Sequence, residues 1–348
     1  MTALTMPARP AEDTSPRPVP WRRMAWVTWR QHRFALAGVA ALLGALAVWL
    51  WLEGLQAHHA YAAAADCHPA SSGACGALAG YFLNYVSTAQ LIAIVLQAVP
   101  ALIGAFVGAP VLAREMETGT FRYAWTLGFG RWRWTLAKLV PLGIAVAAAA
   151  GAFSLLFSWY YQPFFAQTLS FNAQVPLDAG VFDLRGVAFA AWTLAAFAIG
   201  ALAGMLIRRV VTALAATLAV YTGLAVAAGF YLREHYMTPL LVKNANAPRF
   251  AWIIGQQWYA KGGQPVSQSV LSQVLQGAPQ LAGKGGGGIP QDDPTVNQYL
   301  VQHGYTLWTS YQPGSRFWPF QWIEGGWLLA LSVLLIAATV WLVRRRAA

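Results

Sequence analysis

Residues 88–112 read TAQLIAIVLQAVPALIGAFVGAPVL, a run that contains no Asp, Glu, Lys or Arg. About 20 apolar residues in a helix cross the hydrocarbon core of a bilayer, so this run is long enough to span a membrane. The chain has five more runs of the same character. The predicted spans are Phe34–Leu52, Thr88–Leu112, Leu136–Trp159, Val187–Ile207, Val210–Leu232 and Gly326–Val343. The sequence therefore predicts an all-α integral membrane protein with six transmembrane helices.

Composition supports this class. Of the 348 residues, 57% are hydrophobic and 10% are charged, whereas soluble domains carry about 25% charged residues. The formal net charge is +11, but the basic residues stand at the ends of apolar runs and form no stripe on a soluble fold. The charge therefore indicates membrane topology and contact with lipid headgroups, and it does not indicate a nucleic-acid partner.

The basic residues also predict the orientation of the spans. They cluster before span 1, between spans 2 and 3, between spans 4 and 5, and after span 6, and all four places fall on the same side of the membrane. Because Lys and Arg are enriched in cytoplasmic loops, this side is predicted to be the cytoplasm. We expect a multi-pass protein of the plasma membrane with both termini in the cytoplasm.

The segments before span 1 have two different characters. Residues 1–20 are rich in Pro, Ala and charge and are predicted to be a disordered cytoplasmic tail without a signal peptide. Residues 21–33 are predicted to form an amphipathic helix on the membrane surface. Its functional residues would be Arg22, Arg23, Trp29, Arg30 and Arg33. The alternative is a basic flank that only orients span 1.

The rest of the chain divides by topology. Residues 34–232 hold spans 1–5 with a cytoplasmic segment at 113–136, residues 233–324 form an extracellular subdomain, and residues 325–348 hold span 6 and a basic cytoplasmic end. The subdomain is predicted to contain two soluble helices, near Val270–Leu275 and Val296–Gln302, joined by a flexible link at Gly283–Gly288. Its end is predicted to form an aromatic belt at the outer membrane surface. The belt residues are Tyr305, Trp308, Tyr311, Phe317, Trp318, Phe320 and Trp322.

The cytoplasmic segment between spans 2 and 3 reads LAREMETGTFRYAWTLGFGRWRWTLAKL over residues 112–139. Glu115 and Glu117 lie at the end of span 2, and Gly119 can end that helix. Thr120 can cap a short helix that runs to Thr126. The aromatic side chains of that helix exceed what a solvated connection needs, so they are expected to contact lipid headgroups or a groove on another protein.

This pattern resembles the permease subunit of type-2 ABC exporters. The resemblance rests on the basic helix before span 1, the E-x-x-x-G-T turn at residues 115–120, and R-x-x-W…K at Arg131, Trp134 and Lys138. The segments WVTWRQHRFALAG and YQPGSRFWPFQWIE are similar to permeases of high-GC Gram-positive bacteria (actinobacteria). Phe129 and Gly130 stand where the family often has Pro and Ser or Thr.

The resemblance implies a coupling helix that docks on a separate ABC ATPase, present in two copies, and a second permease subunit in a homodimer. ATP and Mg²⁺ would bind to the ATPase, and this chain would hold no cofactor or metal. The implied coupling residues are Glu115, Glu117, Gly119, Thr120, Phe121, Arg122, Trp125 and Arg131.

The sequence shows no catalytic motif. Gly277–Lys284 only approaches a phosphate loop, with one residue too many between its glycines. Cys67 and Cys75 lie in the first external loop, where a disulfide, free thiols or, with the neighbouring His and Asp residues, a metal site are all open.

The centres of the spans carry no charge, whereas an ion-coupled carrier normally keeps an acidic group or His there. The energy source is therefore expected in a partner. Gln90, Gln97, Tyr221 and Phe230 are the predicted substrate-path residues. Pro100 is predicted to kink span 2. The glycine pairs Gly104/Gly108 and Gly200/Gly204 are predicted to allow close helix contact.

The predicted function is a permease subunit that exports a hydrophobic or amphiphilic compound, such as a drug, antibiotic, lipid or peptide-like molecule. The chain itself is not expected to be an enzyme. One alternative is a permease-like sensor or immunity component. A second is a lipid-modifying membrane enzyme, for which the candidate residues are Asp178, Asp183, Arg185, Glu234, His235 and Glu324.

Overall fold

The computed structural model describes residues 20–69, 71–119, 130–166, 175–244, 247–277 and 294–346. Its described part is mostly helical. The α-helices are α1 (Trp21–Ala65), α2 (Gly73–Leu96), α3 (Ala98–Ile103), α4 (Ala109–Thr118), α5 (Arg131–Tyr160), α6 (Gln162–Ala166), α7 (Ala179–Phe182), α8 (Ala188–Ile207), α9 (Val210–Ala227), α10 (Gln268–Gln276), α11 (Pro294–Gln302) and α12 (Phe317–Arg346). The strands are β1 (Leu240–Lys243), β2 (Trp252–Tyr259) and β3 (Thr306–Gln312).

Six helical segments of the described chain are long and apolar enough to cross a membrane, which confirms the predicted number. Spans 1 to 6 are Trp26–Ala65, Gly73–Thr118, Arg131–Tyr160, Ala188–Ile207, Val210–His235 and Gly314–Arg345. Span 4 is the most enclosed of them, because 67% of its apolar window is buried inside the protein. Spans 2, 3, 5 and 6 pack against span 4, whereas span 1 packs mainly against spans 2 and 3. Large apolar side chains are exposed on the outer faces of the spans.

Helix α1 corrects the prediction of a separate interfacial helix at residues 21–33. Trp21–Ala65 is one continuous helix of 45 residues, about 68 Å long at 1.5 Å per residue. No Gly or Pro occurs between Trp21 and Phe34, so nothing in the sequence breaks the helix there. Residues 21–33 are therefore the first turns of the helix that forms span 1, and that helix is longer than a bilayer is thick.

Span 2 is interrupted where the sequence predicts a kink. Helix α2 ends at Leu96, α3 begins at Ala98, and a π-helical turn runs over Gly104–Gly108 before α4. Pro100 lacks an N–H, and its ring clashes with the carbonyl of residue 96, which accounts for the first interruption. The side-chain amide of Gln97 donates to the carbonyls of Ala179 and Gly180, at 3.2 and 3.1 Å.

The glycine pairs of spans 2 and 4 face each other, so the close helix contact predicted for each pair is present, and each pair is the partner of the other. A Cβ atom on Gly104 would lie 2.5 Å from the carbonyl oxygen of Ala196, and one on Gly200 would lie 2.3 Å from the carbonyl oxygen of Gly104. Gly108 and Gly204 meet backbone oxygens of the opposite helix at 2.5 and 2.4 Å in the same way. The two backbones can approach this closely only because these positions have no side chain.

The segment between spans 5 and 6 contains a three-stranded antiparallel sheet that the all-α prediction lacks. The strand order is β1-β3-β2, with Leu240 opposite Tyr311 and Tyr259 opposite Thr306. Both predicted soluble helices are present as α10 and α11. They pack on the sheet through a cluster formed by Trp258, Leu271, Val296, Leu300 and Leu307. The predicted link Gly283–Gly288 lies outside the described residues.

Helix α12 begins at Phe317, so the boundary predicted at residue 325 is wrong by about two turns. Pro319 stands in the first turn, where a missing N–H costs nothing. Residues 317–324 therefore belong to the helix of span 6. Of the predicted aromatic belt, Trp318 and Trp322 are exposed on this helix, whereas Phe320 is buried.

Candidate functional site

Two carboxylates hold the C-terminal end of span 2 against neighbouring spans. Glu115 forms an ion pair with Lys138 of span 3, and the Lys138 ammonium lies 4.4 Å from the centre of the Trp134 ring. Lys138 is buried. A buried ammonium is costly unless it is paired, so Glu115 is the group that allows Lys138 to lie between the two spans.

Glu117 makes the second connection. Its Oε2 accepts a hydrogen bond of 3.1 Å from the backbone N–H of Val210, the first residue of α9. The first N–H groups of a helix have no partner within the helix, and the helix dipole favours a negative charge there. The residue before α9 provides no side-chain cap. Glu117 of span 2 therefore caps the beginning of span 5.

Thus one short helix, α4, is fastened to spans 3 and 5 by side chains two residues apart. The helix ends at Gly119, which adopts a left-handed conformation with φ 70°. Thr120, Phe121, Arg122, Trp125 and the rest of the predicted coupling helix lie in residues 120–129, outside the described residues. Arg131 is the first residue of α5.

The first turns of α1 pack against the same region. The Thr28 hydroxyl donates to the carbonyls of Met24 and Ala137, both at 3.1 Å, which joins span 1 to span 3. Trp29 is 60% exposed. Arg22, Arg30 and Arg33 are also exposed, and Arg23 lies in the same helix. Guanidinium groups stack over aromatic rings here, Arg30 on Trp26 and Arg33 on Phe34.

The four predicted substrate-path residues do not come together. Gln90 lies on an exposed face of α2, and Gln97 is hydrogen-bonded to the α7 region. Tyr221 is buried edge-on against Trp192, and Phe230 is 79% exposed. In one copy of the chain these residues therefore outline no common cavity.

A buried charge network, which the sequence analysis does not predict, lies at the opposite end of the spans. Arg233, at the end of span 5, and Glu324, in span 6, are both 0% exposed. The Arg233 Nε and Nη2 atoms donate to the Glu324 carboxylate at 3.1 and 2.9 Å. Trp192 Nε1 and the Tyr236 hydroxyl donate to the same carboxylate at 2.8 and 3.1 Å. Hydrogen bonds to Glu324, which belongs to span 6, thus connect this span to spans 4 and 5.

Asp183 completes the network from the turn after α7, where it pairs with Arg233 Nη2. Burial raises the pKa of Asp183 well above its ordinary value, although Arg233 opposes this rise. Arg185 lies nearby between the rings of Phe165 and Phe317, at 4.3 and 4.7 Å. Burial lowers the pKa of Arg185 to about 10, so it stays charged at neutral pH.

Asp183 and Glu324 were predicted only as separate loop candidates for an enzyme. A usable signal was present, since Arg233 directly follows one apolar run and Glu324 shortly precedes another. The spans have no charge at their centres, but oppositely charged residues at neighbouring span ends are candidates for a buried pair.

Cys67 and Cys75 are joined by a disulfide between α1 and α2. Of the alternatives left open by the sequence, the structure thus has the bonded one. Among the described residues, no group of three or more His, Cys, Asp or Glu side chains could hold a metal ion.

The comparison with known families adds the decisive observation. The family described as ABC-2 membrane transporter related matches residues 40–233, more than half of the chain. The chain belongs to this family. The match runs from span 1 to the end of span 5 and includes both carboxylates of α4. No curated protein and no solved structure matches the chain.

Membership makes the chain a multi-pass membrane protein and a permease component of an ABC transporter, which works with an ABC ATPase partner. In this permease, spans 2 and 3 are joined by the segment between Gly119 and Gly130. Span 2 is therefore tied to span 3 by Glu115 and to span 5 by Glu117 beside that connection.

Proposed function

We propose that this permease exports a hydrophobic or amphiphilic compound across the plasma membrane, driven by ATP hydrolysis in two copies of a separate ABC ATPase. ATP and Mg²⁺ bind to that ATPase, and the permease itself is not an enzyme. Two permease subunits, in a homodimer, enclose the transport path. Both termini and the segment 113–136 face the cytoplasm, as the positions of Lys and Arg suggest. The similarity of both ends to actinobacterial permeases suggests such an organism as the source.

The observation that carries the proposal is the pair of contacts made by α4. Residues 120–129 follow directly and are proposed to dock on the ATPase. A displacement of this docking segment would act on α4 and, through Glu115 and Glu117, on spans 3 and 5 together. ATP binding would then shift the population between two arrangements of the spans, because the ATPase binds one arrangement more tightly than the other.

The buried charges at the other end of the spans support this choice over a lipid-modifying enzyme. The Glu324 carboxylate is fully buried and accepts four hydrogen bonds. A catalytic acid or base must reach its substrate, and this carboxylate is engaged with protein groups. Its role is proposed to be structural, to hold spans 4, 5 and 6 together.

The test is co-purification of the permease with the ATPase encoded beside its gene, followed by ATPase and export assays in proteoliposomes. The wild-type pair is expected to associate and to export candidate amphiphiles only with ATP. Glu115→Gln combined with Glu117→Gln is expected to keep ATP hydrolysis and to lose most export. Glu234→Gln, which removes a carboxylate near the opposite ends of the spans, is the matched control and should export normally.

Two results would contradict the proposal. Normal export by the Glu115→Gln/Glu117→Gln variant would remove the coupling role of α4. Association with the ATPase without export of any compound would favour the sensor or immunity alternative.

A further inference from the structure

A cavity of about 520 Å³ lies between α1 and the second half of span 2. Its volume falls within the range of about 300–1,000 Å³ that is usual for small-molecule sites. The cavity is separate from the four predicted path residues, none of which lines it.

One end of the cavity is apolar and the other is polar. Phe34, Phe106 and Val111 line the apolar part, and His32, Arg114 and Glu115 line the polar part. Span 2 advances eight residues from Phe106 to Arg114, about 12 Å along a helix. The antiparallel α1 brings His32 to the same end as Arg114. The cavity therefore matches an amphiphile, because it has an apolar end and a polar end, and the polar end is nearer the C-terminus of α4.

The charge at the polar end is positive. Glu115 is neutralised by Lys138, whereas Arg114 has no ion-pair partner in the part of the chain that the structure describes. His32 Nδ1 lies 3.0 Å from the Thr28 carbonyl, which can only accept, so Nδ1 carries the proton. The neutral His32 ring then keeps Nε2 as an acceptor, and a protonated ring adds a second cation.

We propose that this cavity binds a single-chain amphiphile with an anionic head, the head on Arg114 and the chain between Phe34 and Phe106. The proposal rests on the proposed function in one respect, because it takes the bound amphiphile to be cargo that enters from the cytoplasmic leaflet. Glu115 both lines the cavity and forms the ion pair with Lys138. A bound amphiphile would therefore contact a residue that connects spans 2 and 3.

Binding can be measured without the ATPase. The purified permease is placed in phosphatidylcholine nanodiscs with a diazirine-bearing dodecyl phosphate, and the cross-linked residues are located by mass spectrometry. An equally long dodecyl trimethylammonium probe is the comparison. The phosphate is expected to label α1 near Phe34 and span 2 near Phe106, at least ten times more strongly than the cation.

Two exposed alanines of α1 give a matched pair of variants. Ala35 lines this cavity, whereas Ala37 lines a different groove, against span 3. Ala35→Trp is expected to reduce phosphate labelling at least ten-fold by filling the cavity, and Ala37→Trp should leave it unchanged. Arg114→Gln is expected to weaken phosphate labelling about ten-fold, as the loss of a charged hydrogen bond would do, without altering labelling by the cation.

The proposal is overturned if Ala35→Trp and Ala37→Trp have equal effects, or if both probes label equally. Ala35→Leu fills part of the cavity with less strain and should give an intermediate loss, so misfolding of the Trp variant would not hide the result. With the ATPase added, dodecyl phosphate should stimulate hydrolysis by the wild type and not by Ala35→Trp. Labelling without stimulation would keep the binding site and refute the cargo role.

Discussion

Replacing Glu324 with Gln removes the negative charge from a position that is fully buried beside the fully buried Arg233. The amide oxygen can still accept from one Arg233 N–H group and from either Trp192 or Tyr236, but the NH₂ group then faces the other Arg233 donor. One of the two charged hydrogen bonds of 2.9 and 3.1 Å is lost, and the other no longer has a charged acceptor. Removing one partner of a buried ion pair costs about 3–5 kcal/mol. Asp183 still faces Arg233, so we expect the lower part of this range.

The free energy of unfolding should be measured in detergent micelles by denaturant titration followed by circular dichroism. The combination Arg233→Met with Glu324→Leu should be less destabilised than the sum of Arg233→Met and Glu324→Leu measured singly, because each single variant leaves the other charge buried without this partner. The cycle is expected to give a coupling energy of about 2–3 kcal/mol. Glu234→Gln, at a partly exposed neighbour, should cost under about 0.5 kcal/mol. A Glu324→Gln cost as small as that of the control, or additive single variants, would refute the network as a clamp on spans 4, 5 and 6.

Other variants test the packing and the electrostatics. Gly200→Ala should destabilise the protein by about 1–3 kcal/mol through overpacking, since its Cβ would lie 2.3 Å from a backbone oxygen. At Gly223 an added Cβ would have no atom within 4 Å, so Gly223→Ala should be neutral or stabilising by up to about 1 kcal/mol. Similar changes in thermal unfolding for Gly200→Ala and Gly223→Ala would contradict the close packing of spans 2 and 4. Asp183 has a raised pKa in the folded state, so its contribution to stability is complete below the unfolded pKa near 3.8 and is lost as pH rises through the folded pKa. Asp183→Asn should therefore flatten this pH dependence of unfolding, and an unchanged profile would exclude Asp183 as its source. Cys67→Ser opens a loop with a sequence separation of 8 and should cost about 2–3 kcal/mol, whereas a reducing agent should have no further effect on that variant.

The helical framework could be predicted because the hydrocarbon core of a bilayer offers backbone groups no water to hydrogen-bond with. A helix is the one structure that satisfies every backbone group within a single membrane-spanning segment, so an apolar run as long as residues 88–112 has few alternatives. Close helix contact at Gly104 and at Gly200 could also be predicted, since small residues at a spacing of four form one face of a helix. That these two glycines meet each other is seen only in the structure. Pro100 gave the interruption of span 2 for an equally local reason.

Features that depend on tertiary partners were harder to predict. The strands of the segment between spans 5 and 6 are short, and β1 pairs with β3, which lies more than 60 residues further along the chain. Local periodicity does not reveal such a pairing. The network of Arg233 and Glu324 joins residues 91 positions apart, and in the sequence each looked like an ordinary charge flanking a span. Glu115 and Glu117 were found from their position, but their partners could not be read from the sequence.

We propose that ATP hydrolysis in a partner drives export through this permease by way of α4. Export by proteoliposomes that contain the permease and its ATPase tests it most directly, with the wild type and the Glu115→Gln/Glu117→Gln variant compared at equal ATPase activity. We expect ATP-dependent export by the wild type and a loss of at least ten-fold in export per ATP hydrolysed by the variant. Equal export per ATP by the two proteins would contradict it.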